Sequence, residues 1–112
     1  MGLDQYARSI DSSGKETDIA YWRKHPNLQG WMEDLYIKKG GTREFNCESV
    51  DIAHEDLDNL EAAVTDSNLP NTSGFFFGSD SDEYYKDTDL QFIHDARQAL
   101  DKGLRVEYSS WW

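Results

Sequence analysis

Apolar residues recur at helical spacing in three segments of the chain. This spacing predicts helices at about residues 26–39, 55–65 and 80–102. Pro26 suits the first position of a helix, where the missing N–H leaves no hydrogen bond unmade. Ala53, at the expected N-cap of the second helix, has no side-chain oxygen with which to cap it.

Alternating polar and apolar positions predict strands at about residues 3–10, 43–52 and 104–112. Residues 19–24 fit either an extended or a helical conformation. Strands that share a chain with helices packed on one face of their sheet form an α+β architecture. We therefore expect residues 1–112 to form a single α+β domain, with three helices on one face of a three-stranded antiparallel or mixed sheet.

Charge is distributed unevenly along the 112 residues, which carry 22 acids, 11 Lys plus Arg and a formal net charge of -11. Residues 1–46 contain seven acids and seven bases, so the whole excess lies in residues 47–112. A protein with this balance lacks the basic footprint that nucleic acids and anionic membranes attract. We expect no direct binding to nucleic acid and no association with membranes.

The cellular compartment is predicted from the cysteine content and from the lack of a targeting signal. Cys47 is the one cysteine and cannot form an internal disulfide. The first ten residues, MGLDQYARSI, lack the apolar stretch of a signal peptide. These features predict a cytoplasmic protein.

Several unusual segments follow one another along most of the chain: MGLDQY, YWRKHPNLQGWM, FNC followed by EDLDNLE, LPNTSGFFFG and EYSSWW. In these segments the chain resembles a family of small uncharacterised phage and bacterial proteins. Family members from phages of cyanobacteria are often labelled phosphoglycerate kinase. The resemblance implies a phage-type accessory protein in the host cytoplasm, and it implies no catalytic residue or cofactor.

Kinase activity conflicts with the residues themselves. Phosphoryl transfer from ATP needs a phosphate cradle, a positioned lysine and carboxylates that hold Mg²⁺. The chain has neither a GxxxxGK[ST] nor a GxGxxG element, and 112 residues are too few for a two-lobed kinase. We expect no cofactor and no metal site, and we favour a protein that is not an enzyme.

A basic cluster precedes Pro26 and forms a candidate anion site. A helix N-terminus already carries a partial positive charge, so nearby cations favour a phosphate or carboxylate ligand there. The alternative is that acids of the chain itself neutralise the cluster. The candidate residues, including two tryptophans as walls, are Trp22, Arg23, Lys24, His25 and Trp31.

An acidic surface with an aromatic edge forms the second candidate site. Trp111 alternates away from the predicted core and is a candidate interface residue. An edge strand of a small sheet could also pair with a second copy of the chain. The acidic candidates are Glu55, Asp56, Asp58 and Glu61 on the second helix, and Asp80, Asp82, Glu83 and Asp87 at the third.

Two functional hypotheses follow from these candidate sites. The leading one is a non-enzymatic acidic module that binds a host or phage protein, in one variant by imitating the charge of nucleic acid. The other is a binder of, or an enzyme acting on, a small phosphate- or carboxylate-bearing ligand at Arg23, Lys24 and His25. The walls of that site would be Tyr21, Trp22 and Trp31. The alternative for the acids is that they only keep the domain soluble.

Overall fold

The computed structural model describes residues 3–45, 48–66, 68–69 and 81–111, apart from the side chains of residues 81–83. Cys47, Asp80 and Trp112 therefore lie outside the described residues. Within them, the chain forms four strands and three helices. In chain order these are β1 (Asp4–Ile10), β2 (Glu16–Arg23), α1 (Pro26–Lys38), β3 (Ser49–Asp51), α2 (His54–Thr65), α3 (Ser81–Asp101) and β4 (Arg105–Trp111).

The strands form one antiparallel sheet in the order β2-β1-β4-β3. The predicted α+β class is confirmed, and each predicted helix agrees with the structure to within one residue at each end. The prediction of three strands is wrong, because β2 adds a fourth beside β1. The two central strands, β1 and β4, join the N-terminal and C-terminal parts of the chain.

Strand β2 was not predicted from the alternation of polar and apolar residues, because it lies at an edge of the sheet and is irregular. Most of its residues are exposed or half-buried, so burial imposes little alternation on them. Ala7 is opposite Ala20 and Arg8 is opposite Asp18, which leaves Ile19 as a bulge. The bulge shifts the phase of the apolar positions in the middle of the strand.

Of the described residues in the predicted strand 43–52, only Ser49–Asp51 form strand β3 and pair in register with β4. The buried ring of Phe45 explains part of this difference. It stacks on Tyr36 of α1 with ring centroids 4.7 Å apart. Phe45 thus packs beside the helix instead of extending the edge of the sheet.

One face of the sheet packs against the helices, and on the other face the outward residues are exposed or half-buried within the described part of the chain. Inward residues of β1 and β4, such as Ala7, Val106 and Tyr108, are buried, and Trp22 of β2 contacts Phe92 of α3 edge-on at 5.2 Å. We call the opposite side the open sheet face. Its outward positions include Asp4, Tyr6 and Arg8 on β1, Tyr21 and Arg23 on β2, and Glu107, Ser109 and Trp111 on β4.

The N-terminus of α2 lacks a side-chain cap, and this leads to a testable prediction about stability. Ala53 is the N-cap in an extended conformation, and its N–H donates to Asp56 Oδ2 at 2.8 Å, but its own side chain caps nothing. Ala53→Ser would supply the missing acceptor and should raise the free energy of unfolding by about 1 kcal/mol. Urea denaturation would measure this gain.

The matched control is Ala62→Ser, the same chemical change at an exposed position inside α2. It should lower stability slightly, because serine is a poorer helix former than alanine. If Ala53→Ser is no more stable than the unaltered protein, the missing cap does not limit this helix.

Candidate functional site

The predicted basic helix start already has a carboxylate of the chain itself beside it. His25 is the N-cap residue of α1 and Pro26 is the first helical residue. The His25 ring is fully buried, and its Nε2 lies 2.9 Å from Oδ2 of Asp89, which is equally buried. Asp89 belongs to α3, so the third helix brings a buried acid to the start of the first.

The same carboxylate also holds β2. Trp22 is fully buried, and its indole Nε1 donates to Asp89 Oδ1 at 2.8 Å. Both carboxylate oxygens of Asp89 therefore have a partner, one from the sheet and one from α1. We call Trp22, His25 and Asp89 the Asp89 clamp.

A chain of buried amides and a phenol continues from the clamp across the sheet. Gln5 exchanges two hydrogen bonds with the backbone of His25, at 2.9 and 3.0 Å, and its amide also donates to the Tyr108 hydroxyl at 2.8 Å. Tyr108 in turn donates to Gln29 Oε1 at 2.6 Å. Burial raises the pKa of the Tyr108 phenol well above its usual value. The phenol therefore stays neutral and keeps the proton that it donates to α1.

The basic side chains next to His25 point elsewhere. The side chain of Arg23 is 61% exposed, and Lys24 is exposed with a left-handed backbone φ of 59°. The Tyr85 hydroxyl bridges the backbone of Arg23, accepting from its N–H at 3.0 Å and donating to its carbonyl at 2.7 Å. The ring of Tyr85 also stacks on His25 with centroids 5.1 Å apart.

The candidate anion-site residues thus do not surround one cleft. Trp22 and His25 meet at Asp89 beneath the surface, whereas Arg23 and Lys24 face solvent. Trp31 is half-buried and lines a separate groove of about 220 Å³ between α1 and α2. Binding of a small anion at this cluster stays a prediction.

Most acids predicted on α2 are engaged by bases. Arg97 of α3 donates to Asp58 at 2.8 Å and to Glu61 at 3.0 Å, and it lowers the pKa of the Glu61 carboxyl. Asp56 lies 2.6 Å from Lys39 Nζ. Glu55 on α2 and Asp87 on α3 are exposed, whereas the side chains of Asp82 and Glu83 are outside the described residues.

The open sheet face carries a cleft next to Trp111. The cleft has a volume of about 290 Å³ and is lined by Tyr6, Arg8, Ser109, Ser110 and Trp111. Trp111 is 54% exposed, a large fraction for so apolar a side chain. The packing of the described core does not account for an indole at this position.

Two tyrosines extend the aromatic surface from Trp111 across β1 and β2. Tyr6 and Tyr21 are cross-strand neighbours with ring centroids 5.2 Å apart. Tyr21 donates to Asp4 Oδ1 at 2.7 Å, and this hydrogen bond raises the pKa of the phenol. Arg8 lies over the Tyr6 ring at 5.1 Å. We call Tyr6, Tyr21 and Trp111 the aromatic patch.

The aromatic patch was only partly predictable from the sequence. Trp111 was a candidate interface residue and Tyr21 a candidate wall of the anion site, whereas Tyr6 and the neighbouring Arg8 were not predicted to belong to a site. Their arrangement depends on β2, whose residues 19–24 fit either a strand or a helix by sequence alone. The turn at Asp11 to Gly14 between two extended segments was the available signal for a β-hairpin.

Comparison with known proteins finds no match to any protein-family model, curated protein or solved structure. No helix in the described part of the chain combines the length and the apolar character that crossing a bilayer requires. Among the described residues, no group of three or more His, Cys, Asp and Glu side chains is placed to hold a metal ion.

Removing the clamp carboxylate should destabilise the fold strongly. Asp89→Ala would leave the buried Trp22 N–H and the His25 ring without this partner, at an expected cost of about 3–5 kcal/mol. Asp89→Asn keeps an oxygen for Trp22 and should cost less. Urea denaturation measures both changes.

The control is Asp87→Ala, which removes an exposed acid from the same helix. We expect it to change the free energy of unfolding by less than about 0.5 kcal/mol. Equal effects of Asp89→Ala and Asp87→Ala would contradict the structural role of the clamp.

Proposed function

We propose that this protein is a non-enzymatic interaction module that binds a protein partner through the aromatic patch. The exposure of Trp111 carries the proposal. Tryptophan and tyrosine dominate the binding energy of protein interfaces, where they lie near the centre of the contact. In this module, Trp111 is the central contact and Tyr6 and Tyr21 widen the apolar surface around it.

The role of an accessory protein of phage type is part of this proposal and is supported by the family resemblance of the sequence motifs. A binding module needs a stable scaffold and an accessible face. The buried network behind the sheet provides the first, since it fixes β1, β4 and α1 relative to one another. The outward residues of the same strands provide the second.

The face of the sheet is favoured over its edges as the contact surface. Strand β3 has three residues, which is too short for extensive pairing with another chain. Strand β2 is longer, but its bulge at Ile19 interrupts the regular row of backbone groups that a new strand would need. Bulges are a common protection of edge strands against unwanted pairing. A dimer formed through an edge strand is therefore less well supported than docking on the face.

The aromatic patch is also favoured over the acidic helices. Lys39 pairs with Asp56, and Arg97 pairs with Asp58 and Glu61, so three of the four candidate acids on α2 are already engaged by bases of the chain. Exposed ion pairs of this kind contribute modestly to either stability or binding. Trp111 is 54% exposed, so most of its indole surface is accessible to a partner.

A photo-crosslinking amino acid next to Trp111 tests the proposal directly. Benzoylphenylalanine in place of Ser109, which lines the same cleft and leaves Trp111 intact, should crosslink a discrete partner in an extract of the cells that naturally make the protein. Excess unlabelled protein should compete for that partner, and excess Trp111→Ala protein should compete much less.

The matched control places the same crosslinker at Tyr84, an aromatic residue on α3 that is 79% exposed. Position 84 should not capture the partner, because α3 lies on the other side of the sheet from the aromatic patch. Equal capture from both positions, or competition by Trp111→Ala as strong as by the unaltered protein, would contradict the proposal.

A further inference from the structure

We infer that the partner is a basic segment that places an arginine side chain on Trp111 beside Asp4. This inference rests on the proposed function and specifies the chemistry that the aromatic patch recognises. The faces of aromatic rings attract cations, and tryptophan does so most strongly. Arginine suits such a site because its planar guanidinium can stack on the indole while its N–H groups donate to a carboxylate.

Asp4 is placed to supply that carboxylate. It lies directly opposite Trp111 on the neighbouring strand, with both side chains on the open sheet face. Residues in such positions have Cβ atoms about 4.5–5.5 Å apart. A single guanidinium can therefore contact the indole and the carboxylate together.

The carboxylate of Asp4 is only partly engaged within the described chain. Its Oδ1 accepts from the Tyr21 hydroxyl at 2.7 Å, and Oδ2 accepts no hydrogen bond from any residue that the structure describes. The neighbouring cation is Arg23, whose Nε lies at 4.0 Å and whose side chain is 61% exposed. An ion pair this long and this exposed is weak. An incoming cation can therefore displace Arg23 from Asp4 at little cost.

An anionic ligand fits the cleft beside Trp111 poorly. Arg8 is the cation that lines the cleft, but its Nε donates to Asp18 at 2.9 Å and its guanidinium already lies over Tyr6. Glu107 is the cross-strand neighbour of Arg8 on the other side. The positive charge in the cleft is thus offset by carboxylates of the chain itself.

The charge of the whole chain favours a basic partner as well. A formal net charge of -11 attracts cationic segments and repels polyanions. This long-range attraction speeds association, whereas the indole and the carboxylate define where the cation is held. An arginine-containing segment of a basic protein fits both the net charge of the chain and the local site at Trp111 and Asp4.

A hexa-arginine peptide is the probe for this inference. Its titration into the protein at low ionic strength should change the NMR chemical shifts of the Trp111 indole N–H and of the outward residues of β1, β2 and β4. Trp111→Ala and Asp4→Asn should each weaken binding about three- to tenfold. A hexa-lysine peptide should bind less tightly, and hexa-glutamate and a thymidine hexanucleotide should not bind.

Two matched variants separate the site from general charge attraction. Asp87→Asn removes the same charge as Asp4→Asn from an exposed position on α3, and Tyr84→Ala removes an exposed aromatic ring from that helix. Each should change the affinity for hexa-arginine less than about twofold, because neither residue lies on the open sheet face.

The inference is overturned if hexa-arginine does not bind, if it shifts α2 and α3 in preference to the open sheet face, or if Asp87→Asn weakens binding as much as Asp4→Asn. Binding of the hexanucleotide or of hexa-glutamate at Trp111 would overturn it too. Specific crosslinking from position 109 together with any of these results would leave the proposed function standing. The two proposals can therefore fail separately.

Discussion

The carboxylate of Asp89 is buried between elements that are far apart in the chain. It accepts from the indole of Trp22 on β2 and contacts the ring of His25, the N-cap of α1. A buried carboxylate is costly unless both of its oxygens are well partnered, so it tolerates few alternative arrangements of its neighbours. The position of α3 against the sheet is thereby tied to the start of α1.

The hydrogen bonds next to the clamp extend this constraint across the sheet. Gln5 on β1 connects the backbone of His25 to Tyr108 on β4, and Tyr108 connects to Gln29 on α1. Each buried polar group would cost about 1–3 kcal/mol if its partner moved away. The network therefore holds β1 and β4 in register, and their outward side chains form the open sheet face.

The helical spacing of apolar residues was enough to predict the three helices. Leu57, Leu60 and Val64 face the core from α2 as their spacing predicts. Strand β2 could not be predicted in this way, because a bulged edge strand buries too few residues to show alternation. The aromatic patch could not be predicted for the same reason, since Tyr6 and Tyr21 become neighbours only when β2 pairs with β1.

The role of Asp89 could not be predicted from the residues near it in the sequence either. In the sequence it belongs to an acid-rich stretch, and nothing in its neighbours distinguishes it from Asp87, which is exposed. Its partner His25 is 64 residues away. An acid of the chain itself at the basic helix start was one of the two alternatives that the sequence left open, but only the tertiary structure identifies which acid it is.

The central claim is that buried polar contacts fix the inner side of the sheet while the outer side stays accessible around Trp111. Hydrogen exchange of the tryptophan indole N–H groups, followed by NMR, measures both sides in one experiment. The account predicts that the Trp22 indole exchanges only through global unfolding and that the Trp111 indole exchanges within the dead time. Rapid exchange at Trp22, or strong protection of Trp111 in the free monomer, would contradict it.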